Sequence, residues 1–414
     1  MNRMKPFKDL VVVKFGGASL ASPNLIGKAA RSVVDVVKSG RRVVVVVSAM
    51  GKTTDELLGT TQAISSGTIS PSHLDEILSM GERTSARIFS ASLESLGLKA
   101  AFLDPSDPDW PIVTDNAHGM AEPIVEVCEK KVPEALGPLL EEGVTPVLPG
   151  FVGRSSDGEV TTLGRGGSDL TAFLVAGALG SETVVLVTSV GGIMTADPKL
   201  VRSAKKHGQL SAEELASLAD SGVKFIHKAS LRYLKEGTRV KITSYLDEDL
   251  ESEGTWVQGS LPALVVEGRP EPVTALVLAG RGMQSVRKAL NCLVEFSSSG
   301  EIKLIGSIVN SNSIVAYVEN GIDGEVLERL HGSFIEEESA LGVVVRSDLG
   351  CVVVKGAELS ERLGILGKVS QPLASDGINI HGVLTLGTNF TVFVNRDSVE
   401  RAVELIREAL RKEV

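Results

Sequence analysis

Thr161 to Ala172 reads TTLGRGGSDLTA, and what this stretch joins decides the fold. Gly164, Gly166 and Gly167 sit close together, and glycine lets a backbone turn tightly and approach a bound anion. Arg165 offers a planar fork suited to a carboxylate or phosphate. Ser168 is placed to cap a helix whose first turn would hold Asp169. The apolar run Leu170, Ala172, Phe173, Leu174, Val175, Ala176 continues at helical spacing. The stretch reads as a loop feeding a helix N-terminus, a ready anion site, with a cation and a carboxylate on it. An ordinary glycine-rich turn with solvated Arg and Asp would look the same, so the surrounding chain has to decide.

Upstream, Leu10–Phe15 and the VVVVV run Val43–Val47 predict strands, and Asn24–Lys38 between them has helical spacing. Continuous apolar strands in strand–helix–strand order predict a parallel sheet covered on both faces. Val144–Leu148 and Thr183–Val187 read as further buried strands, each followed by Gly or Ser. Ligands in such sheets gather at the carboxyl ends of strands. The loops at 14–19, 48–54, 161–169 and 188–199 are therefore expected to face one crevice. Leu74–Leu96 predicts a long helix carrying Gly81-Glu82-Arg83 midway. A glycine there costs about 1 kcal/mol against alanine, which points to close approach by something. Val223–Val240 predicts a helix and then a strand.

A polar, acidic stretch and a Pro-containing segment place a domain boundary near 260–272. Beyond it the rhythm changes. Val273–Ala279, Ile302–Ile308 and Ile314–Val318 read as strands, with helices at Met283–Leu293 and Gly324–Leu330. A spare strand is expected at Val343–Arg346. The pattern then restarts with strands at Cys351–Val354, Ile378–Leu384 and Phe390–Val394 and helices at Arg362–Ser375 and Ser398–Arg411. Two small ferredoxin-like units account for this order. The expected domains are 1–262, 273–346 and 347–414.

Composition bounds the function. The chain has 414 residues with 43% hydrophobic and 23% charged, a globular balance with room for several domains. A net charge of −10 argues against broad nucleic-acid or anionic-membrane binding, though not against a local anion site. Cys128, Cys292 and Cys351 lie far apart without zinc-site spacing, so no metal site is expected and a reducing compartment is inferred. The start lacks a signal-peptide apolar run, and no stretch approaches a membrane span. The expected location is the cytoplasm.

Several short motifs carry possible chemistry. Lys14-Phe15-Gly16-Gly17 puts a cation and two glycines after a strand, where a lysine can meet transferring phosphate and backbone N–H groups can hold oxygens. A surface lysine before a turn reads alike. Gly51-Lys52-Thr53 is not a P-loop, because the glycine the pattern requires is Val46. Ser48 and Thr54 can orient a small polar substrate or cap the helix beginning near Asp55. TSVGGIMTADPK, Thr188 to Lys199, suits a loop round a nucleotide and equally a turn built on Asp197-Pro198. Lys224 opens the strong pattern GVKFIH, and His227 reads as a hydrogen-bonded structural residue.

Taken together, these stretches resemble the aspartate kinase family of the amino-acid kinase fold. KFGGAS, VVSAMGKTTDELL, LSMGERTSARI, TDNAHG, PGFVG, TTLGRGGSDLTA, TADPK and SGVKFIH occur in family order over roughly residues 10–245. The C-terminal pair is similar to ACT domains, with DGINIHGV, Asp376 to Val383, the best local match. The resemblance implies a three-layer α/β/α kinase domain with a mainly parallel sheet, followed by two βαββαβ units. It implies ATP-dependent phosphorylation of the L-aspartate side-chain carboxylate to 4-phospho-L-aspartate, with Mg2+ on the phosphates. By position Lys14, Asp169 and Lys224 would be catalytic, Asp169 organising the two lysines. Ser48, Thr54, Glu82, Arg165 and Ser168 would bind aspartate, Glu82 meeting its ammonium and Arg165 a carboxylate. Lys14, Phe15, Gly16, Gly17, Thr188, Ser189, Met194, Lys199, Lys224 and Phe225 would bind ATP. Asn379 and Ile380 would bind a lysine or threonine effector, and a homodimer or larger even assembly through the ACT domains is expected. Departures from the family pattern are Ala18, Ser189, Met194, Lys199 and Lys228, mostly on the nucleotide side. A different acidic acceptor, or an amino-acid sensor without catalysis, are the other readings.

Overall fold

The computed structural model describes residues 7, 9–64, 69–219, 226–246, 250, 253–262, 264–357, 359 and 364–411. The chain divides into two compact units, Met1–Leu261 and Pro262–Val414.

The first unit runs β1 (Leu10–Phe15), α1 (Pro23–Lys38), β2 (Arg42–Val47), α2 (Thr53–Ile64), α3 (Pro71–Ser95), β3 (Ala100–Phe102), β4 (Val113–Thr114) and α4 (Val125–Glu141). It continues β5 (Thr145–Pro149), β6 (Val152–Ser155), β7 (Val160–Thr162), α5 (Gly167–Leu179), β8 (Thr183–Thr188), β9 (Gln209–Ser211), α6 (Ala212–Ala219), β10 (Arg239–Ser244) and β11 (Thr255–Gln258). The main sheet has the order β3-β5-β2-β1-β8-β10-β11-β9. It is parallel from β3 to β10, and β11 pairs antiparallel with β10.

Strand alternation sorts the layers. Val11, Val13 and Phe15 of β1 join Val43, Val45 and Val47 of β2 in a core with residues of α1 and α3. The opposite face is covered by α5, which packs on β1, β2 and β8, with α4 beside it. Lys14, on the other parity from Phe15, thus projects to the α5 side. β4, β6 and β7 form a small separate sheet leading into the glycine loop.

Some expectations need correction. The helix after the glycine loop is capped by Gly166 in the left-handed region (φ 78°), so Ser168 lies within the first turn and is not the cap. Likewise α2 begins at Thr53, so Thr54 lies inside it. Of the stretch at 223–240, residues 223–225 lie outside the described residues, and among the described ones Lys228–Tyr233 is a 3-10 turn where a helix is expected.

The second unit runs β12 (Val265–Gly268), β13 (Val273–Gly280), α7 (Gly282–Ser298), β14 (Lys303–Val309), β15 (Ser313–Glu319), α8 (Gly324–Ile335), β16 (Ala340–Lys355), α9 (Ile365–Ser375), β17 (Gly382–Leu386), β18 (Asn389–Asn395) and α10 (Val399–Arg411). Its sheet order is β14-β15-β13-β16-β18-β17, with β12 on β16. The expected strands at 343–346 and 351–354 are one 16-residue strand, β16. Its first part closes the β13-α7-β14-β15-α8 half, and its last part opens the other half. That second half takes its fourth strand from β12, ahead of β13 in sequence. The strand expected from Ile378 starts at Gly382. Ile378 instead donates its N–H to Leu373 O and buries its side chain, finishing α9 after Gly377 at φ 75°.

Candidate active site

The carboxyl ends of β1, β2 and β5 and the start of α5 surround a cleft of about 240 Å³. Lys14, Ser48, Thr54, Glu82, Arg165, Ser168 and Asp169 line it together with Phe151 and the three loop glycines. Lys14 Nζ is 2.6 Å from Asp169 Oδ1, and both side chains are largely buried. The pair forms because strand parity points Lys14 at α5 while Asp169 occupies that helix's first turn.

Glu82 reaches the cleft from the middle of α3. It is 4% exposed, and its Oε2 has no hydrogen-bond partner. Burial pushes its pKa up to about 7, against partial relief from backbone N–H groups such as that of Ala49. Arg83, next in sequence, gives it no counter-charge: its guanidinium is bound to Asp104 Oδ1 at 2.7 Å, Glu76 Oε1 at 2.7 Å and Ser106 Oγ at 2.7 Å. Across the cleft Arg165 is exposed and makes no ion pair among the described residues. One wall therefore offers a buried carboxyl with one free oxygen, another a guanidinium, and the floor a lysine held by an aspartate.

Close backbone approach explains the glycines. A Cβ on Gly81 would stand 2.9 Å from Ala49 Cβ, so glycine lets α3 press onto the loop after β2. A Cβ on Gly166 would stand 2.2 Å from His227 Cβ. Phe151, which the sequence reading passed over, lines the cleft with φ at 67°. Its aromatic character gave no signal, but the PGFVG stretch that holds it was already marked.

The other predicted site residues lie elsewhere. Phe15 buries its ring against Phe89, with centroids 5.2 Å apart. The Gly16 N–H is committed to Val187 O at 3.1 Å, leaving Gly17 to carry any ligand-facing amide of the pair. Thr188 ends β8, beside β1, and its hydroxyl bonds to the Val190 backbone, accepting from N at 3.1 Å and donating to O at 3.0 Å. Ser189 and Lys199 are exposed and Met194 is half-buried on the following loop, which is pinned by Ile193 N to Thr255 Oγ1 at 2.8 Å. Lys224 and Phe225 lie outside the described residues. In the second unit Asn379 Nδ2 is 3.2 Å from His381 Nδ1, and Ile380 packs against the α9–α10 core. Cys128, Cys292 and Cys351 are buried thiols. Among the described residues no group of His, Cys, Asp and Glu has a metal-holding arrangement, and no helix is long and apolar enough to cross a membrane.

Residues 9–244 match the amino acid kinase family, which sets the class of protein. The chain is 32% identical over 417 residues to an aspartokinase of Geobacillus stearothermophilus, covering 97% of each chain. It is 32% identical over 419 residues to an aspartokinase of Mycobacterium tuberculosis strain H37Rv, covering 97% of this chain and 96% of the relative. The fold matches the crystal structure of aspartate kinase from Synechocystis with a TM-score of 0.76 at 26% identity, covering 96% of this chain and 69% of that one. The chain belongs to the aspartokinases of the amino acid kinase family, which are kinases acting on aspartate.

Proposed function

We propose that the cleft is the aspartokinase active site, where the γ-phosphoryl group of ATP passes to the side-chain carboxylate of L-aspartate to give 4-phospho-L-aspartate. The observation that carries this reading is the Lys14–Asp169 pair sharing a cleft with Glu82, a buried carboxyl with one unsatisfied oxygen and no counter-charge, and with Arg165, a guanidinium without an ion pair among the described residues. An amino acid supplies what each lacks. Its ammonium meets Glu82, and a carboxylate takes the Arg165 fork bidentately. Ser48, Thr54 and Ser168 complete its hydrogen bonds. The reacting carboxylate is already ionised at neutral pH, so no protein base is required. Lys14 neutralises charge on the transferring phosphoryl group, and Asp169 holds Lys14 in place. Lys224 is proposed as a second lysine in this role.

ATP would lie towards the end of β8, with its phosphates at Lys14 and the Gly17 amide. Thr188, Ser189, Met194, Lys199 and Phe225 would surround the rest. The acceptor-rich, histidine-poor cleft suits Mg2+ held chiefly by phosphate oxygens, with Asp169 the carboxylate at hand. When bound, the ion neutralises phosphate charge.

The two halves of the second unit are proposed as ACT domains, nominally 273–346 and 347–414, with β12 completing the latter. Asn379 and Ile380 are proposed for a lysine or threonine effector, and the halves for a homodimeric contact. The decisive experiment incubates the protein with ATP, Mg2+, aspartate and hydroxylamine. The hydroxamate of the acyl phosphate is expected; product no higher than that of the Lys14→Ala variant refutes the reading. The same assay with millimolar lysine or threonine tests feedback, and unchanged rates count against it.

A further inference from the structure

Asp75, on α3, is 1% exposed and sits outside the cleft, yet it gathers several donors. Thr162 gives both its hydroxyl, 2.5 Å from Oδ1, and its N–H, 3.1 Å from Oδ2. Gly119 N–H donates to Oδ2 at 3.0 Å, and His118 Nδ1 lies 2.9 Å from the same oxygen. His118 Nε2 reaches Glu159 Oε2 at 3.1 Å. Burial works against a charge on His118, but these two carboxylates outweigh it and raise its pKa above the usual range.

These bonds join the two walls of the cleft. Asp75 and Glu82 are seven positions apart on α3, which is about two turns, so both lie on one helix face about 10 Å apart along the axis. Thr162 ends β7, three positions before Arg165, and the segment at Gly119–Met120 lies against Gly164, where a Cβ would touch both. Ala121 N–H then bonds to Thr162 O at 2.9 Å, so the rim segment and the glycine loop move as one piece. The helix bearing Glu82 and the loop bearing Arg165 are thus referenced to a single buried carboxylate.

We propose that Asp75 is a positioning residue that fixes the span between Glu82 and Arg165, and with it how tightly the cleft holds its amino-acid acceptor. This rests on the assignment of those two residues to the acceptor. A two-point clamp binds well only while its two points keep their spacing, so loosening either wall weakens acceptor binding without touching the nucleotide. A buried carboxylate with this many donors supplies the rigidity, because losing it would strand several polar groups.

The test uses the full-length protein and measures kcat, the KM for aspartate and the KM for ATP. Asp75→Asn keeps the shape but faces an amide towards donors. It is expected to raise the aspartate KM about tenfold and leave the ATP KM within about twofold. Thr162→Val is expected to act in the same direction, and Thr162→Ser to restore wild-type values. Should Asp75→Asn not fold, the Thr162 pair decides alone. A parallel rise in both KM values, or an unchanged aspartate KM in a folded variant, overturns the proposal. Glu82→Gln and Arg165→Ala serve as reference arms. If neither raises the aspartate KM, the acceptor assignment itself has failed; if both do while Asp75→Asn and Thr162→Val do not, only the positioning role has.

Discussion

Glu82 concentrates most of the chemistry that one residue can express here. Burial without a counter-charge pushes its carboxyl up to about 7, and the proposed contact with the acceptor's ammonium would need the ionised form. The aspartate KM is expected to rise about tenfold between pH 8 and pH 6, with Glu82→Gln weakening binding and removing that dependence. Stability moves the opposite way. A carboxyl whose folded pKa is raised leaves folding undisturbed below its unfolded value, 4.5, and opposes it increasingly up to about 7. Above that pH the cost is on the order of 1–3 kcal/mol, so Glu82→Gln is expected to raise the melting temperature at pH 8 but not at pH 4. Part of this was legible in the sequence. Gly81 inside a long helix announced a close approach, and the approach is Ala49. Gly81→Ala should therefore weaken aspartate binding although alanine is the better helix former, which a KM comparison would show. That Glu82 is left unsatisfied was not legible, because it depends on where Arg83 goes, and Arg83 is taken by Asp104 across a separate loop.

At the level of elements, α5 shows how a loop and a helix make one device. Gly166 caps it at φ 78° with His227 packed where a side chain would begin. Gly166→Ala is expected to lower stability by about 2 kcal/mol or more, from left-handed strain together with the clash. A thermal melt several degrees lower checks this. The apolar periodicity placed α5 well. It did not place the cap, which is Gly166 and not the expected Ser168, because a left-handed glycine ends a loop as well as a serine hydroxyl does. Long elements with strong patterns, β1, α1, β2, α3 and β8, were readable to within a few positions. The missed ones fail for physical reasons. α4 carries Pro133 and Pro138 within it, which argues against a helix in any local reading. β4, β6 and β7 span two to four residues each and gain their order from tertiary pairing with one another.

For the molecule as a whole, chain order and spatial order part company in the second unit. β12 precedes the first half in sequence but pairs with Val352–Lys355 of β16, and Val266 sits in the core of the second half, where Arg407 also bonds to its carbonyl at 2.7 Å. A fragment of residues 262–414 is expected to melt cooperatively. One of residues 273–414 should melt lower or associate, because one edge of β16 and part of that core are left open. Circular dichroism with gel filtration distinguishes the two. Sequence rhythm alone suggests a clean restart near residue 347, since nothing local reveals that Lys355 pairs with Val265 and Val352 with Gly268.

Since β16 runs unbroken through both halves, the second unit has a shared spine where two modules would normally have a hinge. Its ladder with β13 slips register between Arg346 and Leu349, where the halves meet, so a twist of one half reaches the other through a bulge on a strand they share. The pair is built as a single lever, and a small molecule settling on either half would be working the same handle.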